Sequence, residues 1–155
     1  MRHVILSLCL GLGLTGPVLS ETVGRFGVSA SLPEGYEIDS RPGNDDGRAF
    51  FYPDGAEIRL WGGWVMEPLA VERANRRGYY LQDGAEITYD AAGADWFVLS
   101  GYAGETIFYL RVEAGRTCGG EEALASLEIR YPEALRPRYD PQIGDIAGSL
   151  GFGPC

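Results

Sequence analysis

A chain of 155 residues with 45% apolar and 23% charged side chains can bury one core of its own and is too apolar to be disordered. Its 13 basic and 22 acidic residues give a net charge of −9, which disfavours nucleic acid and anionic membrane surfaces as partners. Every basic side chain is arginine, so Schiff-base, Ser-Lys and phosphate-loop chemistry are all excluded for want of a lysine.

Met1 to Ser20 reads as a signal peptide. Arg2 and His3 form a basic start, Val4 to Leu14 an apolar run, and Val18 and Ser20 are small residues at the spacing that places cleavage before Glu21. A lipoprotein reading through Cys9 fails, because that cysteine sits inside the apolar run after Leu8. The chain then divides into a leader, 1–20, and one domain, 21–155. Removing Arg2 with the leader leaves 12 arginines against the 22 acids, a net charge near −10. Nothing later is long enough to span a bilayer, so no membrane insertion is expected after cleavage, and the location is periplasmic or secreted.

The domain opens with Phe26, Val28, Ala30 and Leu32 alternating with small or polar residues, a strand with one buried face. A polar loop over residues 39–47 precedes a hairpin, Arg48 to Tyr52 and Ala56 to Trp64, joined through Pro53-Asp54-Gly55. A helix is expected over Glu67 to Leu81. Pro68 suits its first turn, and acids early with arginines late match the helix dipole. Leu69, Arg73 and Arg76 share one side of it, while Ala70, Ala74 and Tyr80 offer a narrow apolar stripe. Ala85 to Tyr89 leads into a meander of three strands: Asp95 to Ser100, Glu105 to Glu113 and Leu124 to Tyr131. Pro132 ends the last strand and opens a helical turn. A terminal helix begins at Pro141 and buries Ile143, Ile146, Ala147 and Leu150.

The order β-β-β-α-β-β-β-β-α implies an α+β fold with an antiparallel sheet of about six to seven strands flanked by two main helices, not a parallel doubly wound sheet. The chain resembles the Mog1/PsbP-like α/β/α sandwiches. The resemblance rests on Phe26-Gly-Val-Ser-Ala-Ser-Leu-Pro-Glu-Gly-Tyr36, on the aromatic strand pairs Trp96-Phe97 and Phe108-Tyr109, and on the closing helix. Asp95-Trp-Phe-Val-Leu-Ser-Gly101 and Arg138-Tyr-Asp-Pro141 are also similar to small exported proteobacterial proteins. The resemblance implies an accessory or protein-binding module, as in photosystem assembly or on a nuclear GTPase. It carries over no binding residues.

The chemistry left to the mature chain is narrow. The one histidine, His3, leaves with the leader, taking imidazole-based triads and most zinc or copper sites with it. Gly11-Leu-Gly-Leu-Thr-Gly16 spells a dinucleotide fingerprint inside the leader, where no strand precedes it. Cys118 and Cys155 remain and are expected to pair in an oxidising compartment; the close C-x-x-C spacing of a redox pair is absent. Asn44-Asp45-Asp46-Gly47 lacks calcium-loop spacing and reads as a polar turn. No cofactor or metal is expected, and the chain is read as a non-enzyme. Carboxylate chemistry survives these exclusions: Glu57, Glu86, Glu105, Glu113 and Glu128 all fall on expected strands, which keeps a polysaccharide hydrolase as the alternative.

Strand alternation supplies the candidate binding residues, Arg59, Trp61, Tyr109 and Arg111. Glu57, Arg59 and Trp61 share a face opposite Ile58 and Leu60; Tyr109, Arg111 and Glu113 share one opposite Phe108, Leu110 and Val112; Glu128 and Arg130 lie opposite Leu127 and Ile129. If these faces coincide, the sheet presents arginines and aromatics together for a carboxylate, a sugar or a partner segment. The plainer account is cross-strand Glu–Arg pairing, with Trp61 and Tyr109 packed under a helix. The resulting expectation is an accessory or binding protein of the cell envelope, its partner an envelope protein or small ligand. A structural module working through protein contacts alone is the further alternative.

Overall fold

The computed structural model describes residues 17–155. Most of the expected leader, residues 1–16, lies outside the described residues. Ten strands and two helices follow in chain order: β1 (Val18–Val23), β2 (Val28–Pro33), β3 (Glu37–Ile38), β4 (Gly47–Phe51), β5 (Glu57–Trp64), α1 (Leu69–Gln82), β6 (Glu86–Ala92), β7 (Trp96–Ala103), β8 (Thr106–Arg116), β9 (Glu122–Pro132), α2 (Arg136–Gly148) and β10 (Gly151–Phe152). The large sheet is antiparallel with order β3-β4-β5-β9-β8-β7-β6, and β1-β2-β10 form a second, smaller sheet.

β9 lies at the centre of the large sheet, and its run from Ala123 to Ile129 is buried on both faces. One face packs Leu69 and Tyr80 of α1 onto Phe97, Leu99, Phe108, Leu110 and Val112. The other packs Tyr139 and Ile146 of α2, with Leu150 two residues past the helix end and not on it as expected, together with Val28, Ala30 and Leu32 of β2, onto Phe50, Ile58, Leu60, Leu127 and Ile129. The alternation read for Phe26 to Leu32 is therefore real, although Phe26 belongs to the turn before β2. Phe26 needs Gly62 beneath it, because a Cβ on that glycine would sit 2.4 Å from the Cβ of Phe26. Asp54-Gly55 closes the β4–β5 hairpin as expected, with Phe51 paired to Glu57.

Two helix details differ from the sequence reading. α1 presents Leu69, Arg73, Arg76 and Tyr80 to the sheet, all half-buried, whereas Ala70 and Ala74 are exposed. Large side chains three and four apart win over small ones because they alone reach across to the sheet. α2 begins at Arg136, not at Pro141, since a single 3-10 turn, Glu133–Leu135, runs from β9 directly into it. Pro141 is internal to the helix. It removes one backbone donor, and the stack of Tyr139 on Tyr131, 5.1 Å between centroids, holds that part of the helix to β9.

Cys118, in the β8–β9 loop, is bonded to Cys155 across 37 residues. The ring of Phe152 packs over Gly115, so the terminal segment is fixed by contact as well as by the covalent link. On the chain-entropy estimate, a loop of this length stabilises the fold by about 4 kcal/mol. The paired variant Cys118→Ser/Cys155→Ser should lose most of that in urea titration; a loss below about 1 kcal/mol would mean that β10 packing alone secures the end.

Tyr139 donates its hydroxyl to both carboxylate oxygens of Asp54, at 3.1 and 3.2 Å. Burial first, and then that carboxylate, push its pKa up to about 12. Since the unfolded value is near 10, the favoured state is the protonated phenol. Its stabilisation is whole below pH 10 and is lost as pH rises through about 12. Tyr139→Phe should therefore be less stable than wild type at pH 8 and show a shallower alkaline decline; parallel curves between pH 10 and 12 would contradict this.

Candidate binding site

Strand register decides which side chains meet. On β5 and β9, Arg59 stands opposite Glu128, Trp61 opposite Ser126 and Glu57 opposite Arg130. On β9 and β8, Glu128 stands opposite Leu110 and Arg130 opposite Phe108. Directly opposed residues project to the same face, so β8 gives that face Phe108, Leu110 and Val112. Tyr109 and Arg111 project to the other side. The four residues singled out from sequence thus divide into Arg59 with Trp61 under α1, and Tyr109 with Arg111 on the α2 face. Arg111 is engaged there: its guanidinium lies 4.9 Å from the Trp96 ring centre and 2.6 Å from Glu113.

Between α1 and the sheet lies a cleft of about 330 Å³. Arg59, Trp61, Glu128 and Arg130 form its floor, and Arg76 and Tyr80 its helical wall. Tyr80 stacks on Phe108 with 4.1 Å between centroids and donates its hydroxyl to Glu128 at 2.5 Å. Glu128 is a buried carboxylate, 7% exposed. Burial, and then the charge of Glu128, push the Tyr80 hydroxyl well above the ordinary tyrosine range, so it stays protonated and donating. Arg76 lies 5.7 Å from the Trp61 ring centre and is held by Glu72 at 2.6 Å. Arg59 pairs with Glu57.

Arg130 is different. Its Nε is 3.7 Å from Glu128, beyond hydrogen-bond reach, and is buried with no acceptor among the described residues. A buried guanidinium donor left unmatched beside a cleft is the most unusual polar feature on this face. The sequence does not mark Arg76 or Tyr80 as site residues, although its helical spacing places Arg76 on the side shared with Leu69. The spacing of Tyr80 with Ala70 and Ala74 suggests a different stripe from Arg76, and only the contact with the sheet brings the two together.

The strand glutamates considered for hydrolysis are mostly engaged. Glu57 and Glu113 are held by Arg59 and Arg111, and Glu128 by Tyr80. Glu105 lies in the β7–β8 turn and Glu86 on the edge strand, both exposed. In the polar loop, Asp45 and Asp46 are tied to Arg48 and Arg25 at 3.2 and 2.7 Å, as suits a turn. No group of three or more potential metal-ligating side chains occurs among the described residues, and none of their helices is long and apolar enough to cross a membrane.

No family model matches the sequence, and no curated protein matches it. Solved structures do match. The cyanobacterial PsbP of Synechocystis, CyanoP, superposes with a TM-score of 0.65 at 16% identity, covering 96% of this chain and 99% of its own. The Ran-binding protein Mog1p of Saccharomyces cerevisiae superposes with a TM-score of 0.52 at 10% identity, covering 88% and 96%. A single-residue variant of Mog1 gives 0.51 at 10% identity, covering 86% and 96%. The fold is therefore the Mog1/PsbP-like α+β sandwich. At these identities the likeness fixes the architecture alone.

Removing the Glu128 carboxylate isolates its role. Glu128→Ala leaves the Tyr80 hydroxyl without its acceptor and Arg130 without the carboxylate charge 3.7 Å away, and should cost about 2–3 kcal/mol. Glu128→Gln keeps an acceptor for Tyr80 and should cost roughly half as much. Chemical denaturation of both variants checks the ranking, and equal losses would show that charge, not the hydrogen bond, holds α1 in place.

Proposed function

We propose that the protein is an exported, non-catalytic binding protein whose α1–sheet cleft takes a carboxylate presented by an envelope protein or a small ligand. One observation carries the reading: the buried Nε of Arg130 has no acceptor among the described residues, in a cleft that also holds Arg59 and Arg76. Arg59 and Arg76 are held to Glu57 and Glu72 through Nε, which leaves the outer edge of each fork for bidentate contact with a carboxylate. Trp61 supplies an apolar wall for whatever carries the acid. Glu128 sets a limit, because a second negative charge on the ligand would face a buried carboxylate.

Export is supported by the leader read in Met1 to Ser20 and by the bond between Cys118 and Cys155, which persists in an oxidising compartment. The non-catalytic reading is supported by the side chains left after the leader: no histidine, no lysine, and both remaining cysteines in one bond. CyanoP and the Ran-binding Mog1p share the architecture without sharing the sequence, which fits a scaffold used for recognition.

The test is a titration of the disulfide-intact chain with short peptides bearing a free or an amidated C-terminus, followed by NMR. Free-acid peptides should bind saturably. Arg130→Gln or amidation should each weaken binding at least tenfold, roughly 1.4 kcal/mol. Equal affinity for acid and amide, or an unaffected Arg130→Gln variant, would overturn the reading.

A further inference from the structure

A second cleft, of about 460 Å³, lies on the opposite face of the sheet, beside α2. α2 packs onto β9 and β2, so the neighbouring strands β6, β7 and β8 are only partly covered next to it. Tyr89 of β6 pairs with Ser100 of β7, and Ser100 pairs with Tyr109 of β8. Two tyrosines therefore stand on either side of a small residue, as walls roughly 10 Å apart across two strand spacings. The Ser100 hydroxyl is turned onto the carbonyl of Phe108 at 2.8 Å and leaves the trough between them low. Tyr102 and Tyr131 continue the lining toward the helix.

The end of the trough is polar and already ordered. Tyr131 donates its hydroxyl to Asp140 at 2.6 Å, and Arg136 donates to Asp140 at 3.1 Å and to the Tyr102 hydroxyl at 3.3 Å. Arg136 and Asp140 are the two charged side chains in the lining, and they cancel. A charged ligand would find no free countercharge here. Burial raises the pKa of Tyr109 and of Tyr131, so at neutral pH the cleft offers uncharged hydroxyls and aromatic faces. Such a lining suits a ligand that is neutral, rich in hydroxyls and apolar on its ring faces.

We propose that this cleft is a glycan-binding site for a neutral oligosaccharide of about two or three units, with Tyr89 and Tyr109 against its ring faces and the Arg136–Asp140 pair on its hydroxyls. The site is separate from the arginine cleft under α1 and does not depend on it.

The experiment uses the disulfide-intact chain with ring-labelled tyrosine, titrated with maltotriose, cellotriose, chitotriose and the anionic trigalacturonate, after a wider screen on an array of neutral glycans. At least one neutral glycan should shift the signals of Tyr89 and Tyr109 saturably, while trigalacturonate binds at least tenfold more weakly. Tyr89→Ala, at a residue 55% exposed and therefore safe for folding, should weaken binding at least tenfold. Tyr109→Ala should do the same and Tyr109→Phe much less, since the ring face remains. Arg130→Gln should leave glycan binding unchanged, which separates this site from the other cleft. No saturable neutral glycan anywhere on the array, tighter binding of trigalacturonate, or indifference to Tyr89→Ala would overturn the assignment.

Discussion

A carboxylate buried at the middle of the central strand is the constraint from which this fold's functional geometry follows. β9 is covered on both faces, and Glu128 is the one charged side chain in its buried run from Ala123 to Ile129. A buried acid needs a donor, and the sheet around it makes no hydrogen bond to it: Arg59, opposite, bonds Glu57, the Nε of Arg130 stays 3.7 Å away, and β8 offers Phe108, Leu110 and Val112 to the same face. The donor comes from α1, through Tyr80, whose ring rests on Phe108 while its hydroxyl reaches Glu128. α1 has no fully buried residue. It is held instead at particular points: Leu69 near its start, Arg73 on Asp90 at 2.5 Å, and Tyr80 near its end. A helix propped on long side chains stands off the sheet, and the arginine cleft is the space this leaves.

Both clefts share a geometric cause. Seven strands at roughly 4.8 Å spacing make a sheet near 30 Å wide, whereas a helix covers about 10 Å of that width. One helix on each face cannot close it. On the α2 face, β2 of the small sheet and Phe26, seated on Gly62, cover the β5 side. Nothing equivalent covers the β6–β8 side among the described residues, and tyrosines occupy it. Tyrosine suits a half-covered face, because its ring packs on neighbours while its hydroxyl stays in contact with water.

Much of this architecture is legible in the sequence. The alternation of β2, the Asp-Gly turn before β5, the long β7–β8–β9 meander and the Cys118–Cys155 pair follow from local chemistry. β3 and β10 do not, because each is two residues long and exists only through a distant partner, Phe50–Phe51 for β3 and Val28–Ser29 for β10. β1 begins at Val18, within residues that read as the end of a leader, so its strand character is not read from the sequence. The candidate site was half legible. Alternation places Arg59 with Trp61 and Tyr109 with Arg111 correctly within each strand. It cannot say which face of β5 matches which face of β8, because that depends on the register each makes with β9, and a shift of one residue exchanges the faces.

The arginine-only composition explains why so little of the positive charge is available to a partner. Arginine's planar fork pairs with acids and lies over rings, and here it does both. Arg25 lies 4.9 Å from the Phe26 ring centre while bonding Asp46; Arg138 lies 5.5 Å from that of Tyr139 while bonding Asp54. These pairings consume cationic groups on an already acidic surface, so the outer field remains negative. What distinguishes the cleft under α1 is that this matching is incomplete there: Glu128 accepts from Tyr80, and the Nε of Arg130, 3.7 Å from Glu128, has no hydrogen-bond acceptor among the described residues. On the proposed function, the surrounding negative field would oppose loose anion binding and leave shape, together with Trp61, to select which carboxylate is admitted.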